Sequence, residues 1–444
     1  MLSLKILLWS IVNAVAMLYS LSQTLPVICR CLTFLLLFTL FGAPDCYGQV
    51  LPFPPQHVIN YLCSNKLLGR GYTGRGDAKA AQYIQERFSQ LGLAPLPALN
   101  QYYQPFTHAV HYFPKRPKLR LGSRRLKAGS DFVPAADCPS VSVKGTLLVL
   151  DSSSAFADFP LPGLERKVVQ LQANWHTALA KQGKSGRLAH AKALLLLQPG
   201  KFTSTIAEQA STQPVAYIHE SGQNGDQVQL IVSAKTDAGY RSNNVVGTVR
   251  GTRSDDTTVI ICAHYDHLGG LGKQVLFRGA NDNASGTTML LELAAWFAKH
   301  PQPYTLVFIA FAGEEAGLKG STWFVQNPPL DLTKTRMVIN LDLMGSGEDG
   351  ATVVNAPAIQ FDFDQLVAIN TQLGTLKAIR PRRNAPNSDH YPFSQAGIPA
   401  MFMYLQGPYT HYHDVDDRPE ALTLAGFEPT YRLLVAFATY LGGG

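Results

Sequence analysis

"TTVIICAHYD" (257–266) and "YTLVFIAFAGEEAG" (304–317) decide how this chain folds. In each, an unbroken apolar run with no polar alternation ends abruptly in charged or titratable residues. Such a run is a strand covered on both faces, because a strand with one wet face would alternate. Between the two lies "ASGTTMLLELAAWFAKH" (284–300), long enough and periodic enough for a helix; "LKGSTWFVQN" (318–327) is a second helix, and "RMVINLDLMG" (336–345) a third buried strand. Strands alternating with helices place the chain in the α/β class, with a mostly parallel central sheet flanked by helices.

The texture changes on moving outward from this region. Residues 76–93, "GDAKAAQYIQERFSQLGL", carry Ala81, Ile84, Phe88 and Leu91 at helical spacing and stop at Gly92. Residues 115–240 read as short strands and turns, for example "GTLLVLD" (145–151) and "QVQLIVSA" (227–234), and form a small β-rich insert. The expected organisation is therefore 1–48 as a leader, 49–114 as the first part of the main domain, 115–240 as the insert and 241–444 as the remainder. The leader contains Arg30 before a short apolar run and then the small-residue stretch "GAPDCYGQV", the layout of a secretory signal cleaved near Gly48. Met17 is an alternative start, and an uncleaved membrane anchor is the alternative reading of the segment. A cleaved signal implies a secreted or periplasmic protein with no stable membrane insertion.

A chain of 444 residues, 46% hydrophobic and 16% charged, buries a full-sized core, which excludes a disordered protein. The net charge of +7 is modest, and the basic runs "PKRPKLRLGSRRLK" (114–127) and "IRPRRN" (379–384) read as solvated loop or edge strand, so no nucleic-acid partner is expected. The second run has two readings: arginines that pair with acidic substrates or a peptide carboxylate, or an exposed loop. After loss of the leader only Cys63, Cys138 and Cys262 remain, with no zinc-finger spacing; a Cys63–Cys138 disulfide is conceivable, and Cys262 reads as a buried strand residue.

In open α/β sheets, ligand sites collect outside the carboxyl ends of the strands. The polar residues at those ends are of one chemical kind. His264 and Asp266 follow the first strand, Asp282 precedes the helix after it, Glu314 and Glu315 follow "FIAFAG", Asp342 follows "MVINL", and His411 and His413 lie in "THYHDVDD". Singly, each is an ordinary cap or loop residue. Together they bring nitrogen and anionic oxygen from rigid, separate elements, as a divalent metal requires.

The segments "NNVVGTVRG", "AHYDHLGG", "GANDNASGTTMLLELA", "AFAGEEAGLKGS", "INLDLMG", "SDHYPFSQAGIPAMF" and "YHDVDD", in that order, resemble the co-catalytic zinc aminopeptidases of metallopeptidase family twenty-eight, which include secreted bacterial leucyl aminopeptidases. The resemblance implies a zinc exopeptidase type of α/β fold and two Zn2+ per chain. It makes Asp282 the bridging carboxylate, His264 and Asp342 the ligands of one ion, and Glu315 and His413 those of the other. It makes Glu314 the general base and Asp266 the acid that orients His264. The usual Thr-Pro after the last histidine is replaced by Asp414-Val415, and either His411 or His413 remains open as the ligand; His390 is either a substrate-facing or a structural histidine. The insert is similar to a protease-associated module, acting as a lid or as a surface module.

The implied function is a metallo-exopeptidase that removes N-terminal residues from peptides or proteins. Its alternatives are a glutaminyl cyclase-like enzyme, a carboxypeptidase or dipeptidase, and a catalytically silent binding ectodomain. Side-chain specificity and oligomeric state are not legible in one sequence.

Overall fold

The computed structural model describes residues 51–442 apart from 100, 158–160, 162, 254 and 255, so the expected leader and its cleavage site lie outside the described residues. Among the described residues no helix is long and apolar enough to cross a membrane.

The main sheet has eight strands: β1 (Tyr103–Tyr112), β2 (Lys235–Val249), β3 (Thr258–His264), β4 (Thr305–Phe311), β5 (Thr335–Leu341), β6 (Gly350–Val354), β7 (Ile379–Arg382) and β8 (Ala400–Gln406). Their spatial order is β1-β2-β4-β3-β5-β8-β6-β7. The four central strands β4, β3, β5 and β8 are parallel; Ile261 of β3 lies opposite Phe308 of β4 on one side and Ile339 of β5 on the other. The flanks are antiparallel, β1 on β2, β2 on β4 and β6 on β8, while β6 and β7 run parallel. The sheet is thus mixed around a parallel centre.

Side chains of β3 alternate between two cores, as the pleat requires. Val259, Ile261 and Ala263 face a core completed by helices α1 (Pro55–Leu62), α2 (Gly76–Gln90), α3 (Gly286–Lys299), α5 (Gln360–Leu373) and α7 (Phe427–Leu441). Ile260 and Cys262 face the other, closed by Phe324 of α4 (Lys319–Gln326) and Phe393 of α6 (His390–Gln395). Both faces are covered, which explains the absence of polar alternation in the sequence. Cys63 and Cys138 are free and belong to different cores, so the conceivable disulfide is not formed.

A second eight-stranded sheet occupies the segment between β1 and β2, with strands from Lys118 to Val232. Its middle is parallel, through Val141–Val149, Lys167–Gln172, Ala193–Leu197 and Val215–Ile218, and it carries helices Ser152–Phe156 and Ala173–Lys181 that the sequence reading did not anticipate. The chain enters and leaves this sheet along β1 and β2, paired from Tyr103 opposite Val245 to Tyr112 opposite Lys235.

Two buried charges stand out. Arg70 is fully buried and donates to the carbonyls of Tyr265 (2.8 Å), Leu62 (3.1 Å), Arg278 (2.7 Å), Gly279 (2.6 Å) and Asp282 (3.4 Å), so five carbonyls take the place of water around its guanidinium. Its neighbours Gly69 and Gly71 pass so close to Gly269 that a Cβ on either would strike that backbone, and the left-handed φ of 66° at Gly69 adds a second reason for glycine. Glu292, on α3, is the other. Burial pushes its carboxyl up to about 8, opposed only in part by the Phe53 amide and the Arg87 guanidinium. The fold therefore favours the protonated form. Its contribution is fully present below the unfolded value of 4.5 and is lost as pH rises towards about 8. Glu292→Gln is expected to be more stable than the wild type at pH 8, by roughly 1–3 kcal/mol, and to match it near pH 4.5. Urea midpoints of both proteins across that range check this; parallel curves would contradict it.

Candidate metal centre

The parallel centre of the sheet delivers the candidate residues to one edge. His264 is the last residue of β3, Asp342 follows β5 directly, and Glu314 and Glu315 lie three and four residues past β4. Asp282 arrives differently, in the loop 280–285 that precedes α3. Asn283 Nδ2 donates to the Leu341 carbonyl (2.9 Å), and Gly345 N donates to Asn281 Oδ1 (2.8 Å), which locks the loop against the end of β5. Asp417 holds it from the other side by accepting from the amides of Asn281 (2.7 Å) and Asp282 (3.1 Å).

The result is a cluster centred on Asp282. Its Oδ1 lies 3.4 Å from His264 Nε2, which is also 3.4 Å from Asp342 Oδ2. Its Oδ2 lies 3.0 Å from His413 Nε2, which is 3.1 Å from Glu315 Oε2. One carboxylate thus faces two separate histidine–carboxylate pairs, and the five candidate ligands lie together. His411 does not join them; it sits 3.4 Å from buried Asp414 and, with exposed Asp416, forms a separate group. His390 is fully buried with Nε2 3.1 Å from Asn384 Oδ1, outside the cluster.

Adjacent Glu314 and Glu315 have opposite surroundings. Glu315 is buried and held by His413 and by His267 Nδ1 (2.6 Å), whereas the Glu314 carboxylate has no hydrogen bond or ion pair among the described residues and faces a cavity of about 250 Å³. Asp266, fully buried, sets this turn: its Oδ1 accepts from the Glu314 amide (3.2 Å) and its Oδ2 from the Glu315 amide (3.4 Å). The same carboxylate lies 3.8 Å from His264 Nδ1, and the Asp266 carbonyl lies 3.2 Å from that nitrogen, leaving Nε2 aimed at Asp282 and Asp342. His413 is aimed in the same manner from a loop between two strands of the second sheet: its Nδ1 lies 3.0 Å from the carbonyl of Ser204, whose amide donates to the His413 carbonyl at 3.0 Å.

Electrostatics follow this geometry. Burial works against ionised Asp282, but His264 and His413 outweigh it and hold the carboxyl well below its usual range. Burial disfavours charge on His413 as well, yet Glu315 and Asp282 push it up to about 11. Glu315, opposed by burial but favoured by His413, is held down to about 2. Burial pushes Glu314 the other way, well above its usual value, with the negative Glu315 adding to the effect. Burial also raises Asp266 to about 8.

A divalent ion fits these residues. His264 Nε2, His267 Nε2 and Asp342 Oδ1 are buried without a hydrogen-bond partner among the described residues, a costly arrangement unless a cation takes their lone pairs. The trios His264/Asp282/Asp342 and His267/Asp282/Glu315 each place three ligand atoms within 4.8 Å of one another, in the nitrogen and carboxylate mixture that suits zinc. Sequence reasoning missed His267 and Asp417. The signal for His267 was its place directly after Asp266 in "AHYDHLGG"; for Asp417 there was none beyond a run of three nearby acids.

Similarity to known proteins agrees with this picture. The chain is 26% identical over 210 residues to aminopeptidase YwaD of Bacillus subtilis (strain 168), covering 44% of each chain. It is 31% identical over 223 residues to a probable zinc metalloprotease of Leptosphaeria maculans, 42% of this chain and 52% of the relative. It spans about half or less of the length of these and similar curated relatives. In fold it is similar to BSAP, a zinc aminopeptidase from Bacillus subtilis, with a TM-score of 0.65, 20% identity and coverage of 88% of this chain and 96% of that one. Residues 244–438, the segment that contains every candidate ligand, match the model of Peptidase family M28. That segment, a little under half of the chain, is similar to peptidase family M28.

Proposed function

We propose that this protein is an exported zinc aminopeptidase that hydrolyses N-terminal residues from peptides, with two zinc ions per chain and Glu314 as general base. The observation that carries the reading is the contrast between two neighbours, Glu315 engaged by histidines and Glu314 unpaired and turned to the cavity. Asp282 between two histidine–carboxylate pairs supports a pair of ions rather than the single zinc of a glutaminyl cyclase-like enzyme. His264 and Asp342 would hold one ion and Glu315 and His413 the other, with Asp282 shared and Asp266 orienting His264. Zinc, when bound, supplies a Lewis acid that polarises the scissile carbonyl and lowers the pKa of water.

The remaining steps fall to the protein's own side chains. Glu314 accepts the proton of water as its oxygen attacks the carbonyl carbon, and passes that proton to the departing amine. The segment 115–240, proposed as a distinct insert, braces His413 through Ser204. The leader-like segment supports export to the periplasm or medium.

The test is mass spectrometry of one peptide set, with free and with acetylated N-termini, incubated with the purified protein and zinc. Stepwise loss confined to free N-termini is expected, and chelation should abolish it reversibly. Cleavage of blocked peptides would replace the reading with a carboxypeptidase or endopeptidase, loss of ammonia from N-terminal glutamine with a cyclase, and no reaction with a binding role.

A further inference from the structure

The cavity faced by Glu314 also has a cationic wall that the proposed mechanism leaves unused. Arg382, at the end of β7, lines it together with Asp282, Glu314, Asp342, Phe402 and His413. In the sheet Arg382 is opposite Val354 of β6, which is opposite Phe402 of β8, so the arginine and the ring belong to one row of the sheet. Two residues earlier Arg380 is engaged, donating to the Asp349 carbonyl at 2.9 Å and to Gln406. Arg382 differs: among the described residues its guanidinium has no hydrogen bond and no ion pair, although three carboxylates share the cavity with it. The chain after it is anchored, with Asn384 Nδ2 donating to Ser394 Oγ (2.9 Å).

A guanidinium with its donors free matches a carboxylate in charge, planarity and spacing. The cavity volume of about 250 Å³ is below the ~300–1,000 Å³ usual for small-molecule sites, so it accommodates one residue and the next peptide group rather than an extended chain. Any carboxylate that reaches Arg382 therefore belongs to the substrate close to the bond being cut. We propose that Arg382 binds a substrate carboxylate, giving the site a preference for peptides with a negative charge next to the scissile bond. Two sources offer that chemistry: the side chain of an N-terminal Asp or Glu, and the C-terminal carboxylate of a dipeptide. The proposal rests on the aminopeptidase reading above.

The experiment compares kcat/KM within matched pairs on the zinc-loaded protein. One pair is a C-terminally amidated peptide beginning with Glu or with Gln; the other is Ala-Leu as free acid or as amide. The wild type is expected to favour the acidic member of at least one pair by about tenfold or more, and Arg382→Ala to reduce that ratio to about twofold or less. The pair that responds identifies the source. Because both members are measured on one preparation, partial misfolding of the variant does not move the ratio. Ratios near one in the wild type, or a ratio unchanged in Arg382→Ala, would overturn the assignment. If no peptide is hydrolysed, the aminopeptidase reading falls, and the same pairs titrated calorimetrically decide this proposal separately. Tighter binding of the acidic member by the wild type alone upholds it, and equal affinities reject it.

Discussion

Glu314→Gln is expected to retain its zinc and its fold while losing turnover by roughly 10²- to 10⁴-fold, the span usual for removal of a general base. Glutamine preserves the length and volume of the side chain, so the cavity keeps its shape. The carboxylate it replaces has no protein partner to lose among the described residues, so the fold is not expected to weaken. The amides of residues 314 and 315 remain held by Asp266, which keeps the turn and the position of Glu315. The substitution therefore removes a proton acceptor and little else. The measurement is kcat on a peptide with a free N-terminus, alongside zinc content after dialysis. A kcat within a few fold of wild type would exclude Glu314 as the base. Loss of zinc with loss of activity would instead assign the residue to the metal.

Asp282→Ala has the opposite signature, a failure of metal retention. Its two oxygens address different histidines, at 3.4 Å and 3.0 Å, so both halves of the cluster lose an anionic ligand at once. Removing only an outer partner of a ligand typically costs 10–100-fold in metal affinity, so loss of a shared ligand should exceed about 100-fold. The expected result is one zinc or fewer per chain after dialysis, with activity lost and not recovered at micromolar zinc. Two tightly held ions in the variant would refute the bridging role. The Asp417 carboxylate holds the amides of residues 281 and 282 and not the deleted side chain, so the loop should keep its place.

The members of the cluster were legible because most of them lie in a local pattern. An apolar strand that stops at a titratable residue is visible in one window of sequence, and His264, Glu315 and Asp342 all arise in that way. The parallel centre of the sheet was legible for the same reason. Long-range pairing was not: β1 and β2 are separated by the whole second sheet, and nothing in either strand names its partner. His267 went unnoticed because its role depends on Glu315, 48 residues away. The helices Ser152–Phe156 and Ala173–Lys181 are only five and nine residues long, so the strands around them dominated the reading of that region.

Arg70 has a consequence for anyone wishing to produce a smaller version of this protein. The family match begins at residue 244, yet the guanidinium that gathers the carbonyls of Tyr265, Arg278 and Gly279 comes from far upstream. Trimming the gene to the matched stretch would delete that cation, strip β1 from the edge of β2, and leave the loop leading to Asp282 without its internal clamp. The folded unit that carries the candidate metal centre is discontinuous along the polypeptide: a shortened version has to keep residues 51–112 and find its economy, if anywhere, in the long excursion between two strands that already lie side by side.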